Sequence, residues 1–304
     1  MSNKLSIAIW LGSLLVASAG QPTTPNAFPG GTRLPNLDVT WGAFTYSGGV
    51  DFEHLGGSLS VTEFDFISLL SKPFTVAEDL MLVPAFQYGY TGLDFDGVSD
   101  NFPLPEEDLH SFALHLAVIK LNEGSPWFYG GWACAELATD FEHVNGDAVT
   151  FDLAAGVGYR VNDKLMVAAG AAALNFNGDF WICPGINFDW EVNDQLRIGL
   201  YGPMPVILYT PNPDWNITLR GFPGGGIWNV EDNQGASKAI DLTSYQVGAT
   251  VGRRLIGNLW LNAGAGITTF NNIELSDPDG GHSRLDEDMD WGVFGQIGLS
   301  LKAW

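Results

Sequence analysis

The segment 295-GQIGLSLKAW-304 decides how this chain is to be read. Taken in twos, Trp291, Val293, Ile297, Leu299 and Leu301 share one face, and Asp290, Gln296, Gly298, Ser300 and Lys302 share the other. That is the period of a pleated strand. The termini of soluble domains ordinarily fray. A strand carried to a final aromatic residue suits a fold in which the end of the chain pairs with its beginning, as closing a β-barrel requires.

At the other end, MSNKLSIAIWLGSLLVASAGQ sets Lys4 before an apolar run from Leu5 to Val16 and the small-residue pattern Ala17-Ser18-Ala19. It reads as a secretory signal peptide over 1–19, cut before Gly20, because the run is shorter than the ~20 apolar residues of a membrane helix. No comparable run follows, so the remainder has no helical membrane span. Charged residues are only 16%, against ~25% in globular chains, while the 304 residues include 38 glycines and 12% aromatics. This composition fits a barrel whose lipid face is spread over alternate residues. One large soluble all-β domain would also fit the length. A net charge of −22 excludes nucleic acid as a partner, since phosphates would be repelled. Cys134 and Cys183 are too few for a disulfide-stapled scaffold. They can form one bridge or stay as packing thiols, the commoner arrangement.

After a Pro/Gly-rich lead-in (20–36), strand-like segments alternate with two kinds of connection over 37–304. The short ones are 160–165, 191–196, 122–126, 210–215 and 254–259. The long ones are 47–56, 91–108, 140–147, 223–239 and 271–289. Alternation is clear in 149-VTFDLAAGVGYR-160, where Phe151, Leu153 and Val157 oppose Asp152, Gly156 and Gly158. Leu261 and Ile267 oppose Trp260 and Asn262 in the same way, and Ile217 and Leu219 oppose Asn216 and Arg220. A soluble sandwich shares that period. The regular switch between short and long connections favours a closed antiparallel transmembrane β-barrel with short periplasmic turns and longer acidic extracellular loops. Taking 202–205 as a tight turn gives about fourteen strands, and merging the short pair around it gives about twelve. Acids crowd the long connections, and bases such as Lys72, Lys120, Arg253 and Lys302 sit at the short-turn end. Several tryptophans (Trp41, Trp127, Trp181, Trp190, Trp215, Trp228, Trp291) fall near strand ends, as interfacial girdles require.

The last strand resembles the C-terminal signal of bacterial outer-membrane barrel proteins in Gln296, Gly298, Leu301 and terminal Trp304, although Trp304 is out of phase with Leu301. The resemblance implies recognition by the barrel-assembly machinery and a bacterial outer-membrane location. The stretch 184–228, with its Pro-Gly, Trp190, Pro203-Met204-Pro205, Tyr209, Trp215 and Gly-rich end, resembles an uncharacterised family of bacterial outer-membrane barrels known as a domain of unknown function. That likeness covers about two-thirds of the mature chain. It implies a fold and a location in outer-membrane lipid, and no activity.

Glu63, Asp65, His115, Glu136, Asp152, Arg160, Arg197, Arg220 and Arg254 are titratable residues on expected strands. Facing lipid, each charged group would cost a few kcal/mol at mid-depth. Facing inward, they line a water-filled lumen and set its selectivity, or pair with one another and stiffen a filled one. In 61-VTEFDF-66 the acids share parity with Val61 and Ile67, so a bulge is expected there. Asp277, Asp279, Asp286 and Asp288 are weak oxygen ligands for a hard cation, without EF-hand spacing. The Gly-rich 221-GFPGGGIW-228 lacks the P-loop lysine, and no cofactor is expected. His110 and Ser111 are adjacent and therefore on opposite faces, and no G-x-S-x-G or H-E-x-x-H motif occurs, so an enzyme acting on lipid is the least favoured reading. Two expectations stand: a porin-like passive or weakly cation-selective channel for small solutes, and a non-conducting structural or binding barrel.

Overall fold

The computed structural model describes residues 38–77, 79–99, 102–104, 107–122, 124–142, 144, 146–176, 179–231, 236–277 and 284–302. The expected signal peptide and lead-in lie outside them, as do Asp279 and Trp304. The described residues form sixteen strands: β1 (Asp38–Asp51), β2 (Ser58–Leu69), β3 (Phe74–Ala77), β4 (Leu80–Asp96), β5 (Glu107–Leu121), β6 (Trp127–Thr139), β7 (Val149–Asn162), β8 (Leu165–Phe176), β9 (Asp179–Glu191), β10 (Leu196–Tyr201), β11 (Met204–Asn212), β12 (Trp215–Glu231), β13 (Ser237–Ile256), β14 (Leu259–Ser276), β15 (Leu285–Met289) and β16 (Gly292–Lys302). One 3-10 turn, Gly146–Ala148, precedes β7.

Fourteen of these strands make a closed antiparallel barrel. β3 and β15 are short additions to β4 and β14. Closure falls on the C-terminal strand: β16 pairs with β1 from Asp38↔Lys302 to Gly48↔Val293 and with β14 on its other side. Each wall position obeys the pleat. Along β7, Phe151 and Leu153 are exposed on the outside, while Asp152 and Gly158 are buried inside. The short pair around residues 202–205 is real, since β10 pairs with both β9 and β11, and the fourteen-strand count holds.

Three local expectations are corrected. β2 carries no bulge, because its register with β4 runs unbroken from Ser58↔Asp96 to Leu69↔Ala85. The irregularity lies in β1 between Ser47 and Val50, where Gly49 takes φ +51°. The stretch 223–239 is mostly strand: β12 and β13 pair continuously from Trp215↔Arg253 to Glu231↔Ser237. Partner pairing overrides the breaker residues, and Gly225 makes this practicable with φ +87°. A Cβ there would stand 1.8 Å from the Leu242 carbonyl oxygen. Trp228 belongs to no girdle, because its ring is buried inside the barrel, and Trp41 lines the lumen. Trp127, Trp190 and Trp215 do lie on the outer surface at the turn end, with Trp127 edge-on to Tyr159 at 4.8 Å. A second outer band (Phe44, Phe64, Tyr88, Phe112) lies nearer the loop end.

Inside, apolar side chains pack together at the loop end. Leu59, Leu109, Ile240, Ile273, Leu275 and Trp228 pack with Phe52, Val50 and Met289 into one buried cluster. Each such side chain contributes about 1.5–3 kcal/mol on burial. Glu287 fixes the adjoining turn by accepting hydrogen bonds from the His54 and Leu55 amides at 2.5 and 3.2 Å. Smaller clusters around Phe128, Met166, Tyr201 and Met204, and around Met81, Val83 and Ile119, occupy the turn-end half. Between these apolar layers lies the polar middle.

Candidate functional site

The middle of the barrel holds a cavity of about 110 Å³, room for several waters. Its wall is drawn from both sides of the barrel. β2 supplies Glu63 and Asp65, β6 Glu136, β12 Arg220, β13 Gln246, and β16 with β1 supply Gln296 and Thr45. Glu63 and Asp65 stand two residues apart on one strand, so the pleat aims both carboxyl groups inward. Gln246 Nε2 donates to Glu63 Oε2 at 3.4 Å. Across the lumen, one Arg220 Nη donates to Gln296 Oε1 at 3.0 Å, and Gln296 Nε2 donates to Thr45 Oγ1 at 3.0 Å. The Arg220 guanidinium carbon also lies 4.4 Å over the Phe222 ring, a cation–π contact that holds the charged head in the cavity wall. Three carboxyl groups thus face one guanidinium, with Gln87, Thr91 and Ser111 as neutral donors and acceptors between them.

The other candidate residues lie elsewhere. Asp152 is buried in the inner wall and accepts the Asn175 amide at 2.8 Å. His115 is buried in the same row two strands away, with Cys134 between, stacked on Trp132 at 5.9 Å, and neither ring nitrogen has a hydrogen-bond partner among the described residues. Arg197 forms a bidentate pair with Asp189, Nε to Oδ1 at 2.6 Å, and Tyr201 Oη donates to the same carboxylate at 2.9 Å. That group is closed on itself at the turn end of β9 and β10. Arg160 sits half-buried near the turn after β7. Arg254 stands exposed at the rim and donates to the Gly257 carbonyl, away from the cavity.

At the loop end, Asp277 pairs with Lys238. Asp286 and Asp288 both accept from Asn272 Nδ2, at 3.0 and 3.2 Å. No metal-binding group of three or more ligands occurs among the described residues. These acids crowd one another. Glu107, at the far end of β5 beyond the apolar belt, is pushed up to about 7 by burial and by Asp140, Glu142 and Asp108. Glu274, at the far end of β14, is pushed up by burial, Asp286 and Asp241. Both cysteines are free, and they pack into one apolar cluster with Trp132 and Leu174.

Charge marks Glu63, Asp65, Glu136 and Arg220 in the sequence, whereas the neutral Thr45, Gln87 and Gln246 are marked only by inward parity. Gln296, first noted for its place in the C-terminal motif, proves to be part of the cavity wall.

The fold and this lumen define a closed fourteen-stranded antiparallel β-barrel. No family model matches the chain, and no curated protein matches it. Among solved structures, an outer membrane channel from Pseudomonas putida F1 is similar at 13% identity and a TM-score of 0.42, covering 93% of this chain and 100% of that one. The toluene transporter TodX of Pseudomonas putida is similar at 8% identity and 0.31, over 95% and 96% of the two chains. The translocator domain of the autotransporter NalP from Neisseria meningitidis follows at 9% and 0.32, over 88% and 89%. At such scores these likenesses carry no argument, and the fold rests on the strand pairing itself.

Proposed function

We propose that the chain is a bacterial outer-membrane β-barrel whose lumen passes small solutes with a weak preference for cations. The outer surface supports the location: Phe44, Leu114, Leu153, Ile217, Ile267 and Ile297 are all exposed on outward positions, a belt that water would not tolerate and lipid would. The short turns then face the periplasm and the acidic connections face outward. In this reading the C-terminal strand, with Gln296, Gly298 and Leu301, is the segment presented to the barrel-assembly machinery.

The observation that carries the channel reading is the cavity, where three carboxyl groups oppose one arginine. Such a wall sets a transverse field and draws cations toward the carboxyl side. A second reading, a barrel that does not conduct, draws on the apolar layer above the cavity. The two separate in a planar bilayer under a KCl gradient. The channel reading expects small stepwise currents with a cation-selective reversal potential, moved toward zero by Glu63→Gln with Asp65→Asn. A folded, silent barrel supports the second.

A further inference from the structure

We infer that the barrel wall at β10 and β11 is too low to span the hydrocarbon, and that this gap admits aliphatic molecules from the outer leaflet sideways into the lumen. The inference rests on the membrane location proposed above. A strand tilted by ~40° rises roughly 2.5 Å per residue along the barrel axis, so the ~25 Å apolar band needs about ten residues. β13 and β14 exceed this with Ser237–Ile256 and Leu259–Ser276, whereas β10 has only Leu196–Tyr201.

The consequence is visible in the pairing. β10 covers β9 only from Glu191 to Asn187, and β11 covers β12 only from Trp215 to Arg220. Beyond those points β9 continues through Asp179–Ile186 with β8 as its neighbour. β12 continues without β11 as its neighbour and meets β6 at Asn229↔Thr139. The β9 flank is apolar on its outward side. Ile182 and Ile186, outward on β9, are 78% and 66% exposed, which places this stretch in the lipid belt. Trp181 has the parity of the inner face yet is 62% exposed, as expected where the adjoining wall is missing. Cys183, also inward, is half-buried in the cluster with Ala154, Ala172 and Trp132.

Pro184 lies in the uncovered stretch of β9 and has no amide to leave unpaired, a feature of strand edges that are not joined by another strand. At its base the gap meets the cavity wall at Met204 and Phe222. An aliphatic body suits this entrance, because only lipid-soluble molecules arrive through the leaflet and the outward side chains beside it, Ile182 and Ile186, are apolar.

Cys183 is a natural reporter. In Cys134→Ser protein refolded into phosphatidylcholine vesicles, Cys183 is labelled with bimane, and quenching by lipid carrying an acyl-chain doxyl group is measured. Two single-cysteine references in a Cys134→Ser, Cys183→Ser background bracket it: Leu153→Cys facing outward on β7 and Asn262→Cys facing inward on the tall wall. Each variant is first shown to be folded by its heat-dependent gel mobility. We expect quenching at Cys183 comparable to Leu153→Cys and several-fold above Asn262→Cys. Quenching at Cys183 no greater than at Asn262→Cys, with Leu153→Cys fully quenched, overturns the lateral opening and leaves the membrane reading intact. Loss of quenching at Leu153→Cys overturns both.

Discussion

The hairpin β13–β14 and the hairpin β10–β11 use the same alternating grammar to build opposite walls. The first pairs from Ile256↔Leu259 up to Ala239↔Ser276, and its upper inward positions, Ile240, Leu242 and Ile273, enter the apolar layer at the loop end. The second stops at Tyr201↔Met204, and its polar side chains settle locally, with Arg197 and Tyr201 both on Asp189. Strand length, set by where turn residues fall, therefore decides whether a hairpin contributes to the closure of the lumen or leaves it low on one side.

The contrast can be broken from either wall. On the low side, Arg197→Met leaves Asp189 buried without its cation, and we expect a loss of about 3–5 kcal/mol in urea unfolding followed by tryptophan fluorescence. A loss near zero would mean that the pair is solvated. On the tall side, Ile273→Ala opens a void at a fully buried site. The same unfolding assay should register about 2–5 kcal/mol. If the apolar layer also limits current, this variant conducts more than wild type.

The polar middle should respond more gently. Gln296→Ala removes the bridge between Arg220 and Thr45, with an expected cost of about 1–2 kcal/mol. A selectivity shift toward anions should accompany it as the guanidinium loses its Gln296 partner.

The smallest effect is one of pH. Glu107 has a folded value of about 7 against an ordinary 4.5, so the fold favours its neutral form. Its stabilising contribution is present below about pH 4.5 and is lost as pH rises through about 7. Amide protection factors around Leu104 and Leu109, corrected for the pH dependence of intrinsic exchange, should be higher at pH 5 than at pH 8, and Glu107→Gln should flatten the difference.

The two walls also explain what was legible in the sequence. Period-two alternation and the closing strand could be read because side-chain parity is fixed by the pleat, and residues such as Phe151 and Asp152 declare their faces individually. Parity also placed Glu63, Asp65 and Arg220 inward. The extent of the strands was harder. Pro223 and the run Gly224–Gly226 have the composition of a loop, and only the continuous partner strand β13 makes them part of a sheet. The apolar layer escaped notice for a related reason: Leu59, Ile240 and Ile273 are indistinguishable in type from lipid-facing residues, and their inward position depends on register. Arg254 has inward parity, opposite Trp260, but its place at the turn rim puts it in solvent. The cavity's neutral members carry no charge to draw the eye, and the gap beside β9 exists only as a difference between two pairing lengths.

Single-channel recording of the refolded chain in a planar bilayer under a KCl gradient, alongside Glu63→Gln with Asp65→Asn, tests most directly whether the lumen conducts through its carboxyl wall. Small stepwise currents are expected, with a reversal potential that marks cation preference in the wild type and moves toward zero in the variant. A barrel that is folded by gel mobility and carries no current, or one whose selectivity ignores the two carboxyl groups, would contradict the channel reading.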